Sequence, residues 1–353
     1  DQAPQTPCAP EATEKQSPDA GGTVAEAIRL LGLSKIGDAH RLLESVADSL
    51  EACGADDEAT AAGIRRIREA YAQMVETRKL LRDGKGWTPV VENCEGVSTY
   101  HRQEPDTPIH SLKVVGVLEA PFVHLLSLII ESDLIPTFID VVKLELKQLL
   151  IKSVYQQLVY VKIPLPWPLY HRDIVLNAEG FDLLEERGEV IVTAKSESKY
   201  EDVEFPEVPS RCVRLQIHLG GLLLRPVSRT RAEMTLVTNI DFKSVLPTWA
   251  INWFAKKLLF YGFKQFRAKA QKIKGSLHEK RILDRKEVYA QVSEPVEAFF
   301  KRMASEKRAR DAKKRARDAK RRERASSPAS PLVAAPPPPP RAPAVAAPPP
   351  PRR

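Results

Sequence analysis

Apolar and polar residues alternate in eight stretches between residues 97 and 241. In "SLKVVGVLE", Leu112, Val114, Gly116 and Leu118 share one side while Lys113 and Glu119 take the other. A period of two predicts a strand with one face toward a core. The same reading puts Val142, Leu144 and Leu146 inward in "VVKLELKQ", Val159, Val161 and Ile163 in "YQQLVYVKI", and Ile174, Leu176 and Ala178 in "RDIVLNAEG". It puts Val190, Val192 and Ala194 inward in "EVIVTAK", and Val213, Leu215, Ile217 and Leu219 in "CVRLQIHL". In "RAEMTLVTNID" the inward set is Met234, Leu236, Thr238 and Ile240, and "GVSTYHRQE" opens the series. One apolar face per strand predicts an antiparallel sheet, because parallel strands are buried on both faces.

Elsewhere the apolar spacing is three and four, which predicts helix. Residues 23–85 read as a helical hairpin. "TVAEAIRLLGL" opens it with a Thr23/Glu26 capping box, and Cys53 to Asp56 marks a break. "APFVHLLSLIIESDLIPTFID" is helical and broken at Pro136. Residues 247–274 predict one helix of ~40 Å. Ile251, Phe254, Ala255, Leu258, Leu259, Gly262, Phe266 and Ile273 fall on one side of it, and Lys256, Lys257, Lys264 and Arg267 on the other. A sheet with one apolar face and one long amphipathic helix predict that the sheet wraps the helix. Trp253 and Phe260 lie among the lysines. Together with Lys256 and Lys257 they form a candidate membrane-docking face, unless sheet edges or the N-terminal helices cover the two rings.

Charge divides the chain. Residues 276–353 carry 20 Lys and Arg against 9 Asp and Glu, while residues 1–275 carry 34 against 37. The formal net charge of +8 therefore belongs to the C-terminal part. "KRARDAKKRARDAKRRER" predicts a solvated helix held by i,i+4 pairs, within a charged segment at 276–326. It lacks interleaved aromatics, which argues against nucleic acid as a partner. Residues 327–353 read as a Pro-rich disordered tail, and 336–351 are either a ligand for a polyproline-binding domain or a spacer. Residues 1–22 read as disordered. No apolar run reaches the ~20 residues a spanning helix needs, so a cytoplasmic protein with peripheral membrane association is expected.

Candidate chemistry adds little. Cys8, Cys53, Cys94 and Cys212 are scattered, and neither CxxC nor HExxH occurs, so no metal site or cofactor is predicted. His171 with Asp173 suits a loop hydrogen bond better than a catalytic pair. Cys212 and His218 have outward parity. No enzyme is expected.

The block from about residue 86 to 275 resembles the START lipid-transfer domain family. The resemblance rests on "GWTPVVENCEGVSTYHR", "LKVVGVLEAP", "LPWPLYHRDIV" and "GGLLLRPVSRTRAEMTLVTNIDFKSVLPTWAIN", in that order. It implies an α+β helix-grip fold, in which a curved antiparallel sheet grips the C-terminal helix around a lipid-sized cavity. The implied lining is Val159, Val161, Arg172, Ile174, Leu176, Ala178, Val192, Ala194, Leu215, Ile217, Leu236, Thr238, Ile251, Phe254 and Leu258. In "IPLPWPLYHRD" the prolines end the strand pairing. Trp167 is expected to plug the loop, and Arg172 with Asp173 to form an ion pair fixing the turn. Steroid-carrying members bury a Glu/Arg pair where this chain has Val159 and Ala178, so sterol, fatty acyl and diacyl lipids stay open. The implied function is lipid binding with transfer or sensing at membranes. The alternative is a scaffold in which the domain senses a ligand and the termini bind proteins. On this reading residues 86–275 fold alone.

Overall fold

The computed structural model describes residues 20–48, 50, 57–244 and 246–326. The expectations for residues 1–19, for the break at 53–56 and for the Pro-rich tail lie outside the described residues.

Alternation produced the strands it predicted, and two more. Among the described residues the sheet has ten: β1 (Thr88–Cys94), β2 (Val97–Gln103), β3 (Ile109–Leu118), β4 (Glu145–Ile151), β5 (Gln156–Ile163), β6 (His171–Leu183), β7 (Glu189–Ser196), β8 (Cys212–Arg214), β9 (Gln216–Ser228) and β10 (Arg231–Asp241). Their order is β1-β2-β3-β10-β9-β7-β6-β5-β4. Every pair along it is antiparallel, and only the short β8 joins β6 in parallel. Two inward assignments fail: Val142 falls in the turn before β4, and Leu219 is reversed by a bulge. Register slips between Leu219↔Asn239 and Ile217↔Ile240, leaving His218 as an extra residue. A bulge of this kind reverses parity beyond it. Leu219 therefore turns to the outer face, and Leu222 takes the inner one.

The outer face is covered by α1 (Ala20–Gly32), α2 (Ile36–Ser45) and α3 (Glu58–Arg82). Ile67, Ala70, Met74 and Leu81 share one core with Phe181, Leu183, Ile191, Leu223 and Val237 of the strands. Close approach of α3 needs Gly221, where a Cβ would lie 2.4 Å from the Thr77 side chain. Glu189 has no exposure, and its carboxylate accepts from Arg78 Nε at 2.5 Å and Arg82 at 2.6 Å. Arg66 pairs with Glu179 beside it. The helix start differs from expectation: α1 begins at Ala20, so Thr23 is not its cap, whereas Asp57 caps α3 by accepting from Thr60 N–H at 2.7 Å. The described residues up to Lys301 form one compact unit, and those from Arg302 a second. The segments 23–85 and 86–275 thus do not separate in packing.

Against the inner face run α6 (Thr248–Trp253), a π-helix (Phe254–Tyr261) and α7 (Gly262–Gln271), end to end. The wider π turn shifts the phase of everything after it. Phe263, opposite Phe254 on a regular α-helix, now faces inward. Gly116 makes room for it, since a Cβ there would lie 2.6 Å from the Phe263 ring.

The helix α4 (Phe122–Ile130) is followed by a 3-10 turn (Ser132–Thr137) containing Pro136. A short α5 (Leu184–Arg187) joins β6 to β7. After Gly275 come α8 (Leu277–Asp284) and α9 (Lys286–Ser326). Residues 304–320 are exposed, as a solvated helix requires. The earlier part is not a solvated helix: Tyr289, Val292, Val296, Phe299 and Phe300 are buried in the first unit. Their spacing gives that stretch an apolar side.

Candidate functional site

The inner sheet face and the helix on it do not close completely. They leave a cavity of about 500 Å³. Thirteen of the expected residues line it: Val159, Val161, Ile174, Leu176, Ala178, Val192, Ala194, Leu215, Ile217, Leu236, Thr238, Phe254 and Leu258. They project there because each occupies an inward strand position or the inner helix side.

Two expected residues are elsewhere. Ile251 is buried in the packed end of the grip, with Leu165, Phe242, Leu246 and Ala250. Arg172 is buried but turned to its own loop, where it donates to the Tyr170 carbonyl at 2.5 Å, the His171 carbonyl and Ser244 Oγ at 2.9 Å. It does not pair with Asp173, because neighbours on a strand point to opposite faces. Asp173, with no exposure, accepts instead from Arg214 at 2.7 Å. Leu165 and Leu169 pack the proline loop inward, whereas Trp167 is 92% exposed and plugs nothing.

The docking face also changes. Phe260 is buried, because the π-helix packs against β1, β2 and β3. Trp253 is half-buried with its ring edge-on to Phe254. Lys256 and Lys257 are exposed.

The lining is almost wholly hydrocarbon. Among the described residues its polar members are Ser132, Tyr155, Gln157, Asp182, Thr238 and Gln291, with no Lys, Arg or His. Gln157 is already occupied: its amide donates to the Ile130 carbonyl at 2.6 Å, and its oxygen accepts from Ser132 and Gln148. Burial, reinforced by the Asp182 charge, pushes the Tyr155 hydroxyl up to about 12, so it stays protonated and donates to the Gln291 carbonyl at 3.0 Å. Burial also raises the Asp182 carboxyl. Such a surface favours an apolar ligand with little polar area and offers an anionic group no counter-charge.

The residues weighed for catalysis are arranged otherwise. His171 Nδ1 accepts the Leu165 N–H at 3.1 Å. Burial and the Asp173 charge raise the Cys212 thiol, which opposes the thiolate a nucleophile needs.

Sequence reasoning missed one end of the cavity, where Gln291, Val292 and Val296 of α9 complete the lining. The segment is tied down through Glu131, which is 1% exposed. Its carboxylate accepts from Arg281 at 2.6 Å, Arg285 at 3.2 Å and Tyr289 Oη at 3.0 Å. Arg281 also makes a two-pronged pair with Asp133, which holds that carboxyl below its ordinary range. His278 lies buried edge-on to Phe138, and burial depresses its imidazole to about 4, so it is neutral.

The START domain family model matches residues 67–275. The phosphatidylcholine transfer protein of Bos taurus is 25% identical over 198 residues, covering 54% of this chain and 85% of the relative. The Mus musculus protein of the same name is 28% identical over 193 residues, with the same coverage. Among solved structures, human STARD10 superposes with a TM-score of 0.50 at 18% identity, covering 62% of this chain and 85% of that one. At that identity the likeness is one of fold, the helix grip described above.

Proposed function

The chain belongs to the START domain family, and on that premise we propose that it binds one lipid in the cavity and carries it between membranes without catalysis. The carrying observation is the cavity itself: about 500 Å³ of nearly pure hydrocarbon surface inside a folded unit. Left to water such a surface is unfavourable, and a lipid chain filling it gains ~25 cal/mol per Å² buried. The transfer activity in the names of the bovine and murine relatives supports the same reading. A lipid with a neutral or small head suits the lining better than one with a bare phosphate, since no cation lines the cavity among the described residues.

Bulk inside the cavity is the direct test. Ala178→Trp and Ala194→Trp replace small inward side chains with rings that occupy ligand volume. Each variant is expected to lose at least ~90% of the lipid that co-purifies with the unmodified chain, with a melting temperature within a few degrees of it, since the ring fills space rather than overpacking. Mass spectrometry of the extracted lipid and a thermal melt read the two quantities. Global unfolding of both variants would mean that the space is closed core, and the reading falls.

The membrane is met, on this proposal, at the end of the grip where the proline loop joins α6. Trp167, Tyr170 and Trp249 are exposed there, and Lys256 and Lys257 follow on the helix. The two segments share the packing of Leu165, Leu169, Leu246 and Ala250. Aromatic rings beside lysines partition into an anionic interface. Removing both exposed indoles (Trp167→Ala with Trp249→Ala) is expected to weaken binding to phosphatidylserine vesicles about tenfold or more. Unchanged sedimentation with the vesicles would move docking to another face.

Among the described residues no helix is long and apolar enough to cross a membrane, which is compatible with such peripheral contact.

A further inference from the structure

We propose that Val292 and Val296 of α9 form an end wall that sets the length of ligand the cavity accepts. The inference rests on the lipid-binding reading above. It adds that part of the binding site lies outside residues 67–275, the span the family model matches.

The two valines line the cavity and are 6% and 2% exposed. Their β-branched side chains have little rotamer freedom in a helix, so the surface they present is fixed. The backbone behind them is fixed as well. At the near end Tyr155, in the turn between β4 and β5, donates to the Gln291 carbonyl at 3.0 Å. Farther on, the Phe299 ring lies against Gly188, where a Cβ would be 3.2 Å from it. Next to it the Arg229 guanidinium sits 5.4 Å over the Phe300 ring and pairs with Glu297. The helix thus crosses three separate turns of the sheet, after the Glu131 cluster has anchored α8 and the first turn of α9. A wall held at that many points cannot give way to a longer ligand without breaking several contacts. Whichever end of the ligand points toward α9, the usable length stops at the two side chains.

The rule is quantitative. A methylene that no longer fits forfeits ~0.8 kcal/mol of burial, about a fourfold loss of affinity per methylene. A larger side chain at the wall should therefore shift the bound population to shorter chains, and a smaller one to longer chains.

The test uses the full chain. The protein is incubated with vesicles of mixed diacyl phosphatidylcholines running from lauroyl to stearoyl, and with vesicles of a total cellular lipid extract. After re-isolation, the lipids carried are identified by mass spectrometry for the unmodified chain, Val296→Ala, Val292→Leu and Val296→Trp. Near-ultraviolet circular dichroism checks that each variant is folded, and the leucine variant provides modest bulk if tryptophan does not fold. The expected result is opposite shifts in mean chain length, longer for Val296→Ala and shorter for Val292→Leu and Val296→Trp, within whichever lipid class is carried. If the unmodified chain carries lipid and folded variants keep its length distribution, the end wall is overturned while the lipid-binding reading stands. If the unmodified chain extracts no lipid from either vesicle type, the lipid-binding reading is overturned and the wall falls with it.

Discussion

A chain cut to residues 86–275 will fail to hold native side-chain packing, although it contains the whole sheet and the helix it grips. Removing residues 20–85 strips the outer face. Phe181, Leu183, Ile191 and Val237 are at most 1% exposed in the intact fold, and Leu223 is 8% exposed. Returning five such side chains to water costs roughly 7–15 kcal/mol at ~1.5–3 kcal/mol each. That matches the entire stability of a typical domain, about 5–15 kcal/mol. Glu189 and Glu179 would also lose their arginine partners. Cutting at 275 removes the helices that close the cavity and leaves Glu131 without Arg281, Arg285 and Tyr289. The measurement is near-ultraviolet circular dichroism with dye binding, comparing the cut chain with residues 20–301. A sharp aromatic spectrum and a cooperative melt from the cut chain would show that the inner core suffices alone.

Glu131→Ala should be strongly destabilising, lowering stability by roughly 1–3 kcal/mol. The carboxylate is the common acceptor for two guanidiniums and a phenol, and it is 1% exposed. Without it Arg285 and Tyr289 lose the only acceptor described for their side chains, while Arg281 keeps Asp133. The penalty is that of leaving the buried Tyr289 hydroxyl without an acceptor and of losing the charge-assisted bonds from Arg281 and Arg285, whose side chains are 22% and 49% exposed. For a unit of this size the midpoint should fall by on the order of 5 °C. Glu131→Gln retains the shape and one acceptor oxygen, so it should cost less. A thermal melt with both variants checks the argument. A shift of about a degree for the alanine variant would mean that α8 and α9 are held by apolar packing alone.

How much of this was legible in the chain follows from what each signal can carry. Alternation is local, and it placed Val159, Val161, Ile174, Leu176, Ala178, Val192 and Ala194 on the cavity face. It failed where the backbone departs from the ideal period. The bulge at His218 reversed Leu219, and the π-helix brought in Phe263. Neither irregularity leaves a mark in side-chain type. Two other misses had a visible signal. Ile191 and Phe181 are large apolar residues at outward strand positions, which a sheet with one solvated face would not carry. In "EVYAQVSEPVEAFF", Tyr289, Val292, Val296, Phe299 and Phe300 recur at helical spacing, but the charge of the longer segment hid them.

The sequence by itself determined the elements, the inward face of most strands, the amphipathic inner helix and hence the α+β helix grip. Periodicity is a property of neighbours along the chain, and strand and helix periods are written there directly. Only the tertiary structure decided which distant groups meet. Asp173 takes Arg214 rather than the adjacent Arg172, Glu189 takes two arginines from α3, and Glu131 holds the segment that walls the cavity. A charge attracts every opposite charge within reach, so sequence cannot choose its partner. The choice comes from the apolar packing that first fixes where each helix lies, and buried charges are then retained only where that packing supplies a counter-charge.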